Sequence, residues 1–160
     1  ISLEMFQPTR QQIDDHYPKD EDWIRKMGEK TLKNYREYGL DAKKEMGTQD
    51  SLEIGKNIRE WLIDYMTSGP AVKMAVKGIH SVDMVRKIAG GTQPSESEMG
   101  TIRGDFSVDS PSAANRDKRA VHNVLHASGN LKEAEHELAF WFLLIYPLLI
   151  SLNSGKWKRE

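Results

Sequence analysis

Apolar positions recur along this chain in two rhythms. Ile1, Leu3 and Met5 alternate with Ser2 and Glu4, which predicts a short half-buried strand. Thr9 and Gln12 form a capping-box pair, predicting a brief helix that ends near His16-Tyr17. Trp23, Ile24, Met27, Thr31, Leu32 and Tyr35 fall at helical spacing with Gly39 as a stop. A loop over 41–50 leads to a second helix bearing Leu52, Ile54, Ile58, Trp61, Leu62 and Tyr65. The tryptophans and tyrosines of these helices are expected in the core.

After the break Thr67-Ser68-Gly69-Pro70, Val72, Met74 and Val76 alternate with lysines as a second strand. Ser81 caps a short helix over about 82–89, closed by Gly90-Gly91. Residues 92–100 form a polar loop. Alternation over 101–108 predicts a further strand, 109–119 a polar surface excursion, and 121–126 a last strand. A helix follows over about 130–142, with Leu131, Ala134, Leu138 and Phe142 facing inward. Helices and half-exposed strands mix without a βαβ repeat, which favours an α+β fold with an antiparallel sheet.

A length of 160 residues suits one compact domain. With 23 basic against 24 acidic residues, no global field points to nucleic acid, so a phosphate site must draw on local arginines. The basic runs at 30–36 and 116–119 read as solvated faces, and no specific nucleic-acid partner is expected. The chain has no cysteine, hence neither disulfides nor thiolate metal ligands, which suits a cytoplasmic protein. The first residues carry no basic leader or long apolar core, so no secretory signal is expected. The apolar run in 143–152 is too short to span a bilayer and contains Pro147. It is expected to be a buried or subunit-contacting tail.

Two stretches hold the chemistry. Arg86 and Arg103 lie among Gly-rich turns with Thr92 nearby, and guanidinium forks match phosphate oxygens. The glycines do not form a P-loop, because no Gly-Lys-Ser/Thr follows four spacers. The second stretch, Asn123-Val124-Leu125-His126-Ala127-Ser128-Gly129-Asn130, sets a histidine before a turn that opens a helix. A nucleophilic imidazole needs one bare nitrogen while an acceptor holds the other. Glu137 is a suitable acceptor, and Ser128 a group to orient that carboxylate. His122 and His126 are poor candidates for a metal pair, since strand-like spacing puts them on no common helix face.

Taken together, Ser68-Gly69-Pro70, Arg86 with Gly91-Thr92-Gln93-Pro94, Gly100-Thr101-Ile102-Arg103-Gly104-Asp105-Phe106, and Asn123-x-x-His126-x-Ser128 with Glu137 resemble the nucleoside diphosphate kinase family. The resemblance implies that His126 carries the phosphoryl group from a nucleoside triphosphate to a diphosphate. It implies that Glu137 and Ser128 orient the imidazole and that Tyr17, of the pair His16-Tyr17, lies beside it. Arg86, Thr92 and Arg103 match phosphate ligands, and Asn123 a sugar and phosphate contact. The implied fold is a ferredoxin-like α/β sandwich. The implied partners are ATP, GTP and other nucleoside di- and triphosphates, with Mg²⁺ carried by the nucleotide rather than by protein ligands. A cytoplasmic homo-oligomer, hexamer or tetramer, is expected, with no membrane partner.

The kinase-like domain would cover 1–142, enlarged by insertions at about 20–52 and 109–119, with 143–160 a tail unlike the family's polar C-terminus. The family's opening strand, with its Lys-Pro-Asp motif, and the helix after it have no counterpart in these residues; Ile1 to Gln7 resembles the second strand instead. Ala127 stands where glycine is usual, and Ile58 or Leu62 occupies the region of the family's base-stacking aromatic. Two functions are therefore expected in order: a nucleotide kinase of low base specificity, since every ligand named addresses phosphate or sugar, then a truncated, catalytically impaired nucleotide-binding or regulatory subunit.

Overall fold

The computed structural model describes residues 2–143. The elements run β1 (Ser2–Phe6), α1 (Arg10–His16), α2 (Glu21–Glu37), α3 (Ala42–Met46), α4 (Ser51–Thr67), β2 (Ala71–Ala75), α5 (Ser81–Ala89), a 3₁₀ turn (Pro94–Glu96), α6 (Ile102–Phe106), α7 (Pro111–Arg116) and α8 (Leu131–Trp141). The fold is α+β, with an antiparallel sheet that holds two strands among the described residues. Residues 144–160, where most of the apolar tail falls, lie outside the described range.

Side-chain caps start most of the helices, but not α5: Ser81, expected as its cap, is its first helical residue, and His80 precedes it at φ 53° with no side-chain cap bond. Thr9 and Gln12 complete the capping box of α1. The side chains of Asp20, Asp41 and Asp50 accept from the first-turn amides of α2, α3 and α4. The core lies between α1, α2 and α4, where Ile13, Ile24, Tyr35, Ile54 and Ile63 are buried. Two glycines let α2 and α4 approach backbone to backbone. A Cβ at Gly28 would fall 1.8 Å from the Ser51 carbonyl oxygen, and one at Gly55 would fall 2.0 Å from that of Ile24. Trp23 and Trp61, expected in the core, are only half-buried.

The sheet pairs Leu3 with Met74, Glu4 with Lys73 and Met5 with Val72. Its alternating apolar residues do not face the core: Leu3, Met5, Val72 and Met74 are all more than half exposed. The inner face is the one carrying Phe6, Lys73, Ala71 and Ala75. There the Phe6 ring meets Trp141 edge-on at 5.5 Å, and Lys73 Nζ donates to the Trp141 carbonyl at 2.9 Å. The small alanines leave room for the aromatic end of α8, so that end decides which face is inside. Of the α8 residues expected inward, Phe142 is buried just past its end, Ala134 and Leu138 are half-buried, and Leu131 is exposed.

Three other expectations give way. Residues 101–108 are not a strand: Thr101 accepts from Gly104 N–H and caps α6. Alternation over so few residues cannot outweigh a cap at its first position. Within 109–119 the Pro-led helix α7 buries Ala114 and Asn115, so this segment is more than a surface excursion. Within the loop expected at 41–50, α3 forms and ends at Gly47. No helix among the described residues is long and apolar enough to cross a membrane.

Candidate active site

Residues 121–126 are not a strand either, and the reason builds the site. Asn123 N–H donates to the Val121 carbonyl at 2.9 Å, and Leu125 N–H to that of Asn123 at 2.8 Å, giving two successive tight turns. Val124, at the centre of the second turn, takes φ 59°, a left-handed conformation that β-branched residues avoid. The carbonyls a sheet ladder would use belong instead to the buried guanidinium of Arg103. Its Nε donates to Asn123 O at 3.2 Å and its Nη2 to Leu125 O at 2.7 Å. Its Nη1 donates to Gly90 O at 2.8 Å and to Gly91 O at 3.3 Å. Gly90 sits at φ 85°, where a side chain is strained, and ends α5 beneath this fork. One side chain thus ties the Gly-rich turn to the backbone immediately before His126.

The His126 ring is about half exposed, and its Nε2 lies 2.6 Å from Glu137 Oε1. Glu137 comes from α8, whose start is set by the Asn130 side chain accepting from Glu133 N–H. Ser128 Oγ donates to the other carboxylate oxygen at 2.5 Å. Burial alone would raise the Glu137 carboxyl, but hydrogen bonds from His126 and Ser128, with the histidine charges, bring it below its ordinary value. An ionised Glu137 selects the tautomer with hydrogen on Nε2 and leaves Nδ1 bare.

Tyr17 follows α1 directly, its ring 5.1 Å from that of His16, which lies 5.6 Å from the His126 ring. Burial, then the Glu137 charge, push the Tyr17 hydroxyl up to about 12, so it remains a neutral donor. Burial, then the His126 charge, hold the His16 imidazole below its ordinary value. Arg86 lies in the last turn of α5. A Cβ on Gly129 would come within 3.8 Å of its Nη1. Its charge also acts on Arg103, whose guanidinium is lowered by burial first and by Arg86 second. Thr92 is exposed beside Gly91, and Asn123 is half-buried with its carbonyl on Arg103. The structure thus brings His126, Glu137 and Ser128 into contact, sets Arg103 against the backbone just before His126 with Arg86 beside it, and places Tyr17 next to His16, with Thr92 and Asn123 close by in the chain.

Sequence reasoning missed Arg59. It is buried, donating from Nε to Pro18 O at 3.0 Å, from Nη1 to Asp14 Oδ1 at 2.8 Å, and from Nη2 to Asp14 O at 2.7 Å and Tyr17 O at 3.3 Å. The signal was its place on the buried stripe of α4, four residues from both Gly55 and Ile63. Val124 left no signal, because nothing in a valine announces a positive φ.

An imidazole held at one nitrogen by a carboxylate, bare at the other and flanked by arginines, has the equipment of a phosphoryl carrier. Comparison with known proteins gives the lineage. The sequence profile of the nucleoside diphosphate kinase family matches residues 51–144. A nucleoside diphosphate kinase of Pyrobaculum aerophilum is 45% identical over 142 residues, spanning 89% of this chain and 78% of its own length. One from Pyrococcus furiosus is 43% identical over 88 residues, 55% of this chain and 50% of its own. In structure, an NDP kinase from Pyrobaculum aerophilum superimposes with a TM-score of 0.81, covering 88% of this chain and 77% of that one. A transition-state mimic of nucleoside diphosphate kinase from Borrelia burgdorferi, with bound vanadate and ADP, gives 0.67 at 26% identity, covering 89% of this chain and 68% of that one. The chain belongs to the nucleoside diphosphate kinase family.

Proposed function

We propose that this chain is a phosphotransferase moving the γ-phosphate of a nucleoside triphosphate to a nucleoside diphosphate through a phosphohistidine at His126. The observation that carries the reading is the His126–Glu137–Ser128 relay, which frees Nδ1 on a ring that is half exposed to solvent. The Nδ1 lone pair attacks the γ-phosphorus, the bond to the β,γ-bridging oxygen breaks, and the diphosphate leaves with that electron pair. A terminal β-phosphate oxygen of the second nucleotide then attacks the same phosphorus. The P–N bond breaks and the imidazole is restored.

Arg86 and Arg103 oppose charge on the transferring group, Thr92 and Asn123 supply neutral contacts at the margin, and Tyr17 stays a neutral donor. Vanadate, bound with ADP in the Borrelia relative, mimics a transferring phosphoryl group, which supports this assignment. Mg²⁺ enters with the nucleotide: the positive charges of Arg86 and Arg103 favour the phosphate end of the complex, and the phosphates supply the oxygen ligands the ion needs. The enzyme works in the cytoplasm as a homo-oligomer.

Incubation with γ-labelled ATP and Mg²⁺ is expected to give an acid-labile phosphoenzyme that a nucleoside diphosphate discharges. Loss of labelling in His126→Ala but not in His122→Ala supports the reading. Labelling that survives without His126 overturns it.

A further inference from the structure

His16 packs between Tyr17 and His126, and its placement is chemically specific. One ring nitrogen of His16, one of His126 and a carboxylate oxygen of Glu137 all lie within 4.8 Å of one another. His16 Nδ1 is buried with no hydrogen-bond partner, a state that calls for an explanation such as a water or an ion. The His16 ring is packed by Phe140 at 6.0 Å and Trp141 at 5.3 Å, so it is held in place before any ligand arrives. His126 is half exposed and gives access from solvent.

We propose that His16, His126 and Glu137 form an inhibitory site for a divalent transition-metal ion, with Zn²⁺ the ion of choice. Two imidazoles and one carboxylate with an open fourth position make a donor set suited to zinc. Magnesium prefers oxygen ligands and several waters, so the ion that accompanies the nucleotide does not compete here. Zinc–ligand bonds of about 2.0–2.2 Å set ligand atoms roughly 3.5 Å apart, so atoms near the 4.8 Å limit draw in, while the 2.6 Å His126 Nε2–Glu137 Oε1 pair opens if zinc takes that nitrogen. The exposed His126 ring is the one free to make that adjustment. Bound zinc takes either the bare nitrogen of His126 or the nitrogen that Glu137 holds. Each outcome removes the oriented, unoccupied nucleophile. The inhibitory consequence rests on the function proposed above, whereas the metal site does not.

The test uses the full 160-residue chain, free of nucleotide and magnesium, dialysed against Zn²⁺ and separately against Co²⁺ as a visible probe. The expected result is one metal ion per chain, removable by a chelator. Affinity should fall at least about tenfold in His16→Ala and in His126→Ala and stay unchanged in His122→Ala. Zinc should also block phosphoenzyme formation in the wild-type chain, measured by adding γ-labelled ATP already complexed with excess Mg²⁺ to the zinc-loaded protein. Should His16→Ala fail to fold, the histidine ring proton resonances of the wild type decide the matter, since zinc must shift those of both His16 and His126. Zinc affinity indifferent to His16→Ala, or shifts confined to His80, His122 or His136, overturns the site. Equal phosphoenzyme formation with and without bound zinc overturns its inhibitory role. Zinc binding by a chain that forms no phosphoenzyme removes the kinase reading and leaves the site standing.

Discussion

Arg59 and Arg103 are both buried, and each ties an irregular segment to a helix by hydrogen bonds to main-chain carbonyls. Arg59 holds the segment carrying His16 and Tyr17; Arg103 holds the one carrying His126. They differ in what balances the charge. Arg59 pairs with the Asp14 carboxylate at 2.8 Å, and Lys19 binds the same carboxylate at 2.6 Å. The four oxygens that Arg103 meets are all carbonyls, with cationic Arg86 close enough to oppose it. Carbonyls orient a guanidinium without neutralising it. The same device therefore makes a structural pin of Arg59 and, at Arg103, a pin that in the proposed reaction also keeps a positive charge beside the transferring group.

Substitution at each arginine breaks the comparison in a different way. Arg103→Ala should slow phosphoenzyme formation by on the order of a hundredfold or more. It should also destabilise the fold by about 2–4 kcal/mol, because buried carbonyls lose their donor. Arg103→Lys keeps the charge but not the fork, so its rate should stay well below wild type in rapid-quench measurements. A lysine variant with wild-type rate would show that position matters less than charge. Arg59→Ala should cost a similar stability in urea unfolding, yet slow transfer only by about tenfold, through displacement of Tyr17.

The scaffold offers a cleaner separation. Gly28→Ala and Gly55→Ala each push a methyl group into the facing backbone and should destabilise by about 1–3 kcal/mol. The folded fraction should still label normally, because neither glycine touches the segments that the two arginines hold. A large loss of labelling in folded protein would mean that the packed helix pair and the site are not independent.

Legibility in the sequence followed the same division. Caps, helix periods and the His126, Glu137 and Ser128 set could be read from residue types at fixed offsets, and the structure brings those three side chains into contact. The strands expected at 101–108 and 121–126 were misread for opposite reasons. At Thr101 a local cap outweighed alternation, while at 121–126 a long-range guanidinium fork took the carbonyls a ladder would need. Arg59 looks in sequence like any surface arginine, whereas Arg103 stands out by its Gly-rich motif, though not as a pin of the backbone before His126. What separates them from such an arginine is a set of carbonyls between 12 and 45 residues away along the chain.

Titration gives the smallest effects. Glu137 is held below its ordinary value of 4.5 in the folded chain, so its stabilising contribution is complete above that pH and lost as pH falls through the lower folded value. Glu137→Gln should flatten that acid limb of stability. Tyr17 runs the other way: with its hydroxyl raised from 10.0 to about 12, its contribution is intact below 10 and lost as pH rises toward 12. Tyr17→Phe should remove the alkaline loss, read as the urea midpoint against pH.

In the proposed reaction the Glu137–His126 hydrogen bond decides which nitrogen reacts. Phosphorus NMR of the denatured, base-stabilised phosphoenzyme, with peptide mapping of the labelled site, tests it most directly. The expected product is phosphohistidine at position 126 bearing phosphate on Nδ1, since Glu137 occupies Nε2 at 2.6 Å. Phosphate on Nε2 of His126, or on any other residue, would contradict it.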